Sequence, residues 1–170
     1  WVLPATLDLA GADIELISTV AEAKRPFLLK KALAKFLEDH EMDYVFIDCP
    51  PSLGMLTINA LAAVKEVLIP IQCEFYALEG VQQLLRTIEF AKERLNPELE
   101  VSTILLTMYN STTNLSASVV EEVRGYFGKK VLDTVIPRSI YVAEAPSFGQ
   151  SVMTYDPGST GAVAYLAAAR

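Results

Sequence analysis

The 170-residue sequence predicts an α/β fold, a parallel sheet with helices on both faces. Short β-branched and aromatic runs recur along it, at 44–47, 67–71, 101–106 and 131–136. Between them lie stretches whose apolar residues repeat at helical spacing. The connections are short, and alternation of this kind is what parallel crossover units require. No internal repeat, low-complexity tract or linker interrupts the pattern.

In order, Trp1-Val2-Leu3-Pro4 reads as a short strand. Arg25 and Pro26 open an amphipathic helix carrying Leu29, Leu33, Phe36 and Leu37, with Lys30, Lys31 and Lys35 between them. Residues 44–47 form a near-continuous apolar run, the signature of a buried parallel strand, and Asp48 ends it. After the loop Cys49-Pro50-Pro51-Ser52-Leu53-Gly54, residues 57–64 read as a short helix and 67–71 as a second buried strand. Glu79-Gly80 leads into a long helix with Val81, Leu84, Leu85, Ile88 and Ala91 on one face, stopped by Asn96-Pro97. A strand follows at 101–106. Ser118 and Glu121 are spaced as a capping box near the start of a helix that ends around Phe127-Gly128. Residues 131–136 make a fifth strand, stopped by Pro137, and the turn cluster Tyr155-Asp156-Pro157-Gly158 precedes a final helix over 161–170.

At 52% hydrophobic and 21% charged, the chain has the composition of a folded globular domain rather than a disordered one. No apolar segment reaches the roughly 18–20 residues of a membrane span, and no signal-peptide pattern opens the chain. A formal net charge of −7 repels polyphosphate backbones, so nucleic-acid binding would need a local basic patch. Cys49 and Cys73 form neither a CxxC pair nor a zinc pattern; both follow expected strands, where a small buried thiol fits, and they read as reduced. His40, the single histidine, has no second ligand or nucleophile near it in sequence and reads as a surface residue near a helix end.

Asp48 is the residue that points to chemistry. Ligands of open α/β sheets bind outside the carboxyl ends of the strands. An aspartate closing such a strand stands at the Walker B position, where a nucleotide's Mg²⁺ is held in P-loop NTPases. The phosphate-cradling loop G-x-x-x-x-G-K-[ST] is not found: Gly125-Tyr126-Phe127-Gly128-Lys129-Lys130 has the wrong spacing and lacks the final hydroxyl. The chain opens inside one element and closes inside another, without polar tails, so it reads as a piece of a longer protein, truncated chiefly at the front.

Residues 44–59 (YVFIDCPPSLGMLTIN), 70–80 (PIQCEFYALEG), 104–114 (ILLTMYNSTTN) and 135–138 (VIPR) closely resemble the ParA/Soj partitioning ATPases of the ParA/MinD superfamily. Glu144-Ala-Pro-Ser147, Tyr155-Asp-Pro157 and Gly161-Ala162 extend the likeness to the end. The resemblance implies a deviant-Walker P-loop NTPase-like fold, with 1–170 the C-terminal portion of a single ATPase domain whose Walker A region is missing. It implies an ATP-dependent chromosome- or plasmid-partitioning ATPase, cytoplasmic and not membrane-bound. Such an enzyme uses ATP/ADP and Mg, switches as a homodimer, and acts with a ParB-type partner on non-specific DNA, hence on the nucleoid. By the same likeness Asp48 is the catalytic and Mg residue, acting through water. Pro50, Met108, Asn110, Pro137 and Arg138 surround the nucleotide, the last four at its adenine end. Because phosphoryl transfer rests on positioning and electrostatics, and most of that apparatus would lie upstream, the piece alone is expected not to hydrolyse ATP.

Alternatives stand beside these assignments. Asn110 can read a purine edge or merely turn its loop, Arg138 can pack on a base or make a surface ion pair, and Met108 can line a pocket or the core. Tyr126 and Phe127 read as core, while Arg124, Lys129 and Lys130 are ambiguous surface cations. Thr112 and Tyr141 stand where the family often carries arginine on its DNA-binding surface, which removes phosphate-neutralising charge. A MinD-like positioning ATPase and a non-catalytic interaction module built on the same fold are the other readings; the first calls for a basic amphipathic C-terminal helix, which is not present in these residues.

Overall fold

A computed structural model describes residues 1–50 and 52–170 of the chain. Its helices are α1 (Ala12–Thr19), α2 (Leu28–Asp39), α3 (Met55–Ala63), α4 (Ala77–Arg94), α5 (Asn114–Phe127), α6 (Ile140–Glu144), α7 (Val152–Tyr155) and α8 (Thr160–Ala168). Strand β1 (Glu66–Gln72) lies between α3 and α4, and strand β2 (Glu100–Thr107) between α4 and α5. The two strands share one sheet. Glu100 N–H donates to the Lys65 carbonyl and Cys73 N–H to the Thr107 carbonyl, each at 2.9 Å. Partners therefore advance together, so the pair is parallel and α4 is its crossover.

On β2 the carbonyls of Ile104 and Leu106 point the opposite way, accepting from Leu132 and Ile136 at 3.0 and 2.8 Å. Alternate carbonyls of a strand face opposite edges, so β2 is central, with β1 on one side and 131–137 on the other. The expected fifth strand is not continuous there: it touches β2 only through parallel bridges, Ile104 to Val131 and Tyr109 to Pro137. The reason lies in the register. Leu132 and Ile136 stand four positions apart, their acceptors Ile104 and Leu106 only two, so the surplus bulges out of the ladder.

Two more expected strands are corrected. Trp1-Val2-Leu3-Pro4 and residues 44–47 have no regular structure, and Tyr44 and Phe46 are 81% and 87% exposed. A strand exists through the neighbours that satisfy its backbone donors and acceptors, and among the described residues neither segment has a ladder partner. Cys49, expected to be buried, is consequently exposed, whereas Cys73 is buried. The capping box is corrected as well. Helix α5 begins at Asn114 behind Thr113, which leaves Ser118 inside the helix. Tyr126, expected in the core, is 70% exposed.

The chain divides into two compact units. The first comprises 1–67 with 84–100. Buried Asn59 ties it locally: its Oδ1 accepts from Leu29 N–H at 3.1 Å, and its Nδ2 donates to the Arg25 and Met55 carbonyls at 2.8 and 2.9 Å. The first bond satisfies a donor in the opening turn of α2, which the helix itself leaves orphaned. Asn96 holds the end of α3, its Nδ2 donating to the Leu61 and Val64 carbonyls. His40, expected on the open surface, is half-buried and stacks on Phe36 with ring centres 4.2 Å apart.

The second unit comprises 68–83 with 101–170. Ile69, Ile71, Ile104, Leu106, Val119, Val123, Val131 and Ile136 are buried in it. Ser139 and Ser159 cap α6 and α8 through Oγ, accepting from Val142 and Ala162 N–H. Gly161 lets α8 sit against α6, since a Cβ there would lie 2.6 Å from Val142 Cγ2. No helix among the described residues is long and apolar enough to cross a membrane.

Candidate functional site

The carboxyl ends of β1, β2 and 131–137 lie side by side in the second unit, and the site is built there. β2 ends at Thr107, and Met108 takes φ +56°, the only non-glycine residue among those described in the left-handed region. Beyond it, Tyr109 N–H donates to the Ile136 carbonyl at 3.0 Å, and its own carbonyl accepts from Arg138 N–H at 2.9 Å. These two bonds lock the backbone of Pro137 and Arg138 against the end of the central strand.

Asn110 follows. Its Oδ1 accepts from Thr112 N–H at 3.1 Å and from Thr112 Oγ1 at 2.8 Å, an Asx turn that reverses the chain into α5. The turn uses the amide oxygen; it does not use the Nδ2 hydrogens. Ser116 fastens the turn to the neighbouring strand. Its buried Oγ donates to the Cys73 carbonyl at 3.1 Å and accepts from Asn110 N–H at 3.4 Å and Thr113 Oγ1 at 3.1 Å. On the other flank, an Arg138 guanidinium nitrogen lies 3.4 Å from Glu74 Oε1, the side chains being 61% and 54% exposed. Pairs so exposed are worth about 0–1 kcal/mol.

The structure thus brings Met108, Asn110, Pro137 and Arg138 together on one edge. Asn110 turns its loop with one end of its amide, Arg138 makes a surface ion pair, and Met108, 37% exposed, is not in the core. Arg124 is committed to the Asp133 carbonyl at 2.9 Å. Thr112 is part of the Asn110 turn, and Tyr141 is 41% exposed on α6.

Asp48 and Pro50 belong to the first unit, where both are exposed in irregular backbone. Pro51, in the same loop, lies outside the described residues. The loop is fastened to α3 by Thr57, whose buried Oγ1 donates to the Ser52 carbonyl at 2.6 Å. Desolvation around the Cys49 sulfur, and then the Asp48 carboxylate, push that thiol above its usual range, although the residue as a whole is exposed. No group of three or more His, Cys, Asp and Glu gathers among the described residues, so Asp48 is not part of a multi-ligand cluster. A lone carboxylate suits Mg²⁺, which keeps its waters and takes one or two carboxylates beside phosphate oxygens.

Sequence reasoning missed Ser116, Glu74 and Thr57. Ser116 sits in a run of Ser, Thr and Asn that signals turns and caps without saying which hydroxyl is buried. Glu74 stands one residue past Cys73, and its partner is 64 residues away.

A model of an AAA domain family matches residues 1–101. The chromosome partitioning protein ParA of Myxococcus xanthus is 51% identical over 169 residues, covering 99% of this chain and 58% of its own length. The sporulation initiation inhibitor protein Soj of Bacillus subtilis is 52% identical over 165 residues, covering 97% of this chain and 63% of its own. The chain therefore spans about three fifths of the length of these relatives. Among solved structures, cobyrinic acid a,c-diamide synthase from Mycobacterium smegmatis, with bound ADP and magnesium, superposes with a TM-score of 0.75 at 40% identity, covering 96% of this chain and 57% of the other. With a family model over more than half of its residues, the chain belongs to the AAA domain family.

Proposed function

We propose that this chain is the C-terminal portion of a single ATPase domain, and that the whole protein is an ATP-dependent partitioning ATPase. The observation that carries this is the identity of 51–52% to proteins named ParA and Soj across 97–99% of the chain. The 40% identical synthase supports the nucleotide, since it was crystallised with ADP and magnesium; its lower identity argues against carrying over its named activity.

Met108 and Pro137 offer apolar surface to a purine face, Asn110 offers the amide hydrogens its turn leaves unused, and Arg138 offers a guanidinium plane. Asp48 holds Mg²⁺ through water at the head of the loop that contains Pro50. When bound, the metal bridges and neutralises phosphate oxygens. The remaining two fifths of the relatives' length is where groups cradling the phosphates are to be sought, so the 170-residue chain alone does not turn ATP over. The protein works in the cytoplasm as a nucleotide-switched homodimer with a ParB-type partner.

Binding to non-specific DNA is tested by titrating the full-length protein with duplex DNA in ATP, in ADP and without nucleotide, across a salt series. A steep salt slope confined to ATP supports the partitioning reading. ATP-dependent dimerisation without DNA binding means that the nucleotide switch survives and that the neutral Thr112 and Tyr141 mark a change in the surface it reads. Absence of nucleotide binding overturns the ATPase reading and leaves the non-catalytic interaction module, the second reading.

A further inference from the structure

Glu74 and Arg138 project from the two outer segments of the sheet edge, and their side chains meet across the end of the central strand. Neighbouring strands lie about 4.8 Å apart, so the pair spans close to 10 Å over Tyr109 and Asn110. The backbone below it is doubly held, through Arg138 N–H on the Tyr109 carbonyl and Ser116 on the Cys73 carbonyl. The guanidinium is held at a single point. One of its nitrogens meets one carboxylate oxygen, at 3.4 Å. Arginine loses much rotamer freedom on being fixed, and among the described side chains Glu74 is the one that takes its charge.

We propose that Glu74 is a positioning residue of the base end: by holding Arg138 across the end of β2, it keeps the guanidinium over the strand end, where a purine can stack on it. This rests on the nucleotide-binding reading above and deepens it. A base entering beside Met108 and Pro137 then meets a guanidinium already in place, and less freedom is lost on binding. Glu74 touches the base through Arg138 alone, so its effect depends on that arginine and on the presence of a base.

The test is a double-mutant cycle on ADP affinity in the full-length protein with Mg²⁺, using Glu74→Gln, Arg138→Ala and the pair, with inorganic tripolyphosphate as a base-free competitor. An oriented cation on an aromatic face is worth about 0.5–1 kcal/mol at an exposed site, or two- to five-fold in affinity. Arg138→Ala is expected to weaken ADP by that factor, and Glu74→Gln by about half of it on a logarithmic scale. The double variant should match Arg138→Ala, and tripolyphosphate should bind all four proteins equally. Additive losses, tighter ADP binding by Glu74→Gln, or an equal loss for tripolyphosphate each overturn the positioning role. If the unmodified protein binds neither ADP nor ATP, the nucleotide-binding reading falls as well, and the two failures are thereby told apart.

Discussion

Residues 44–48 and 67–73 are nearly the same kind of sequence. Each is a run of β-branched and other apolar residues closing on a small polar or acidic group, and each is followed closely by a loop into a helix. Yet 67–72 lies in a parallel strand with Ile69 and Ile71 at 4% and 2% exposure, while 44–47 is irregular with Phe46 at 87%. Composition does not separate them. The partner does: Thr107 and Glu100 supply hydrogen bonds to the Cys73 and Lys65 ends of one run, and no strand among the described residues supplies them to the other. A strand is a property of a pair.

The sharpest way to break this comparison is to truncate a side chain in each context. Leu106→Ala, at a fully buried position beside β1, is expected to cost about 2–5 kcal/mol in denaturant unfolding. Phe46→Ala should stay within about 0.5 kcal/mol in the 170-residue chain. Similar losses at the two sites would show that 44–47 is packed after all. In the full-length protein the same segment carries Asp48, and Asp48→Ala is expected to raise the Mg²⁺ concentration needed for turnover by about 10–100-fold, the scale of losses at water-mediated metal contacts. An unchanged Mg²⁺ dependence would remove Asp48 from the metal site.

Smaller effects sharpen the comparison further. Ser116→Ala leaves the Cys73 carbonyl and Asn110 N–H without that hydroxyl and should cost about 1–3 kcal/mol. Thiol labelling reads the two runs directly. A disulfide reagent at pH 8 should modify exposed Cys49 within the native state, and buried Cys73 only on unfolding. Burial raises the Cys73 pKa, so the folded state holds its proton more tightly than the unfolded chain. That contribution to stability is present below the unfolded value of about 8.5 and is lost as the pH climbs through the higher folded value.

The helices were largely legible because each carries its own periodicity. The face Val81, Ile88, Ala91 of α4 is buried as spacing required. Strands 67–71 and 101–106 were legible for the same reason, together with the helix that joins them. What sequence could not supply was pairing. It overstated 44–47 and 131–136, one for lack of a partner and the other because two surplus residues spoil its register. At the site, Asn110, Met108, Pro137 and Arg138 were legible as residues that follow strands. Glu74 and Ser116 were not, because their roles depend on contacts 64 and 43 residues away.

Met108 bears on how this protein can drift. A side chain with a Cβ at φ +56° strains the backbone by about 1–2 kcal/mol, which glycine would relieve. Glycine there would make the domain more robust and strip one wall from the edge where Asn110 and Arg138 converge. Stabilising substitutions sought by screening for heat resistance alone should accumulate first at this residue, and they should be the ones that lose nucleotide.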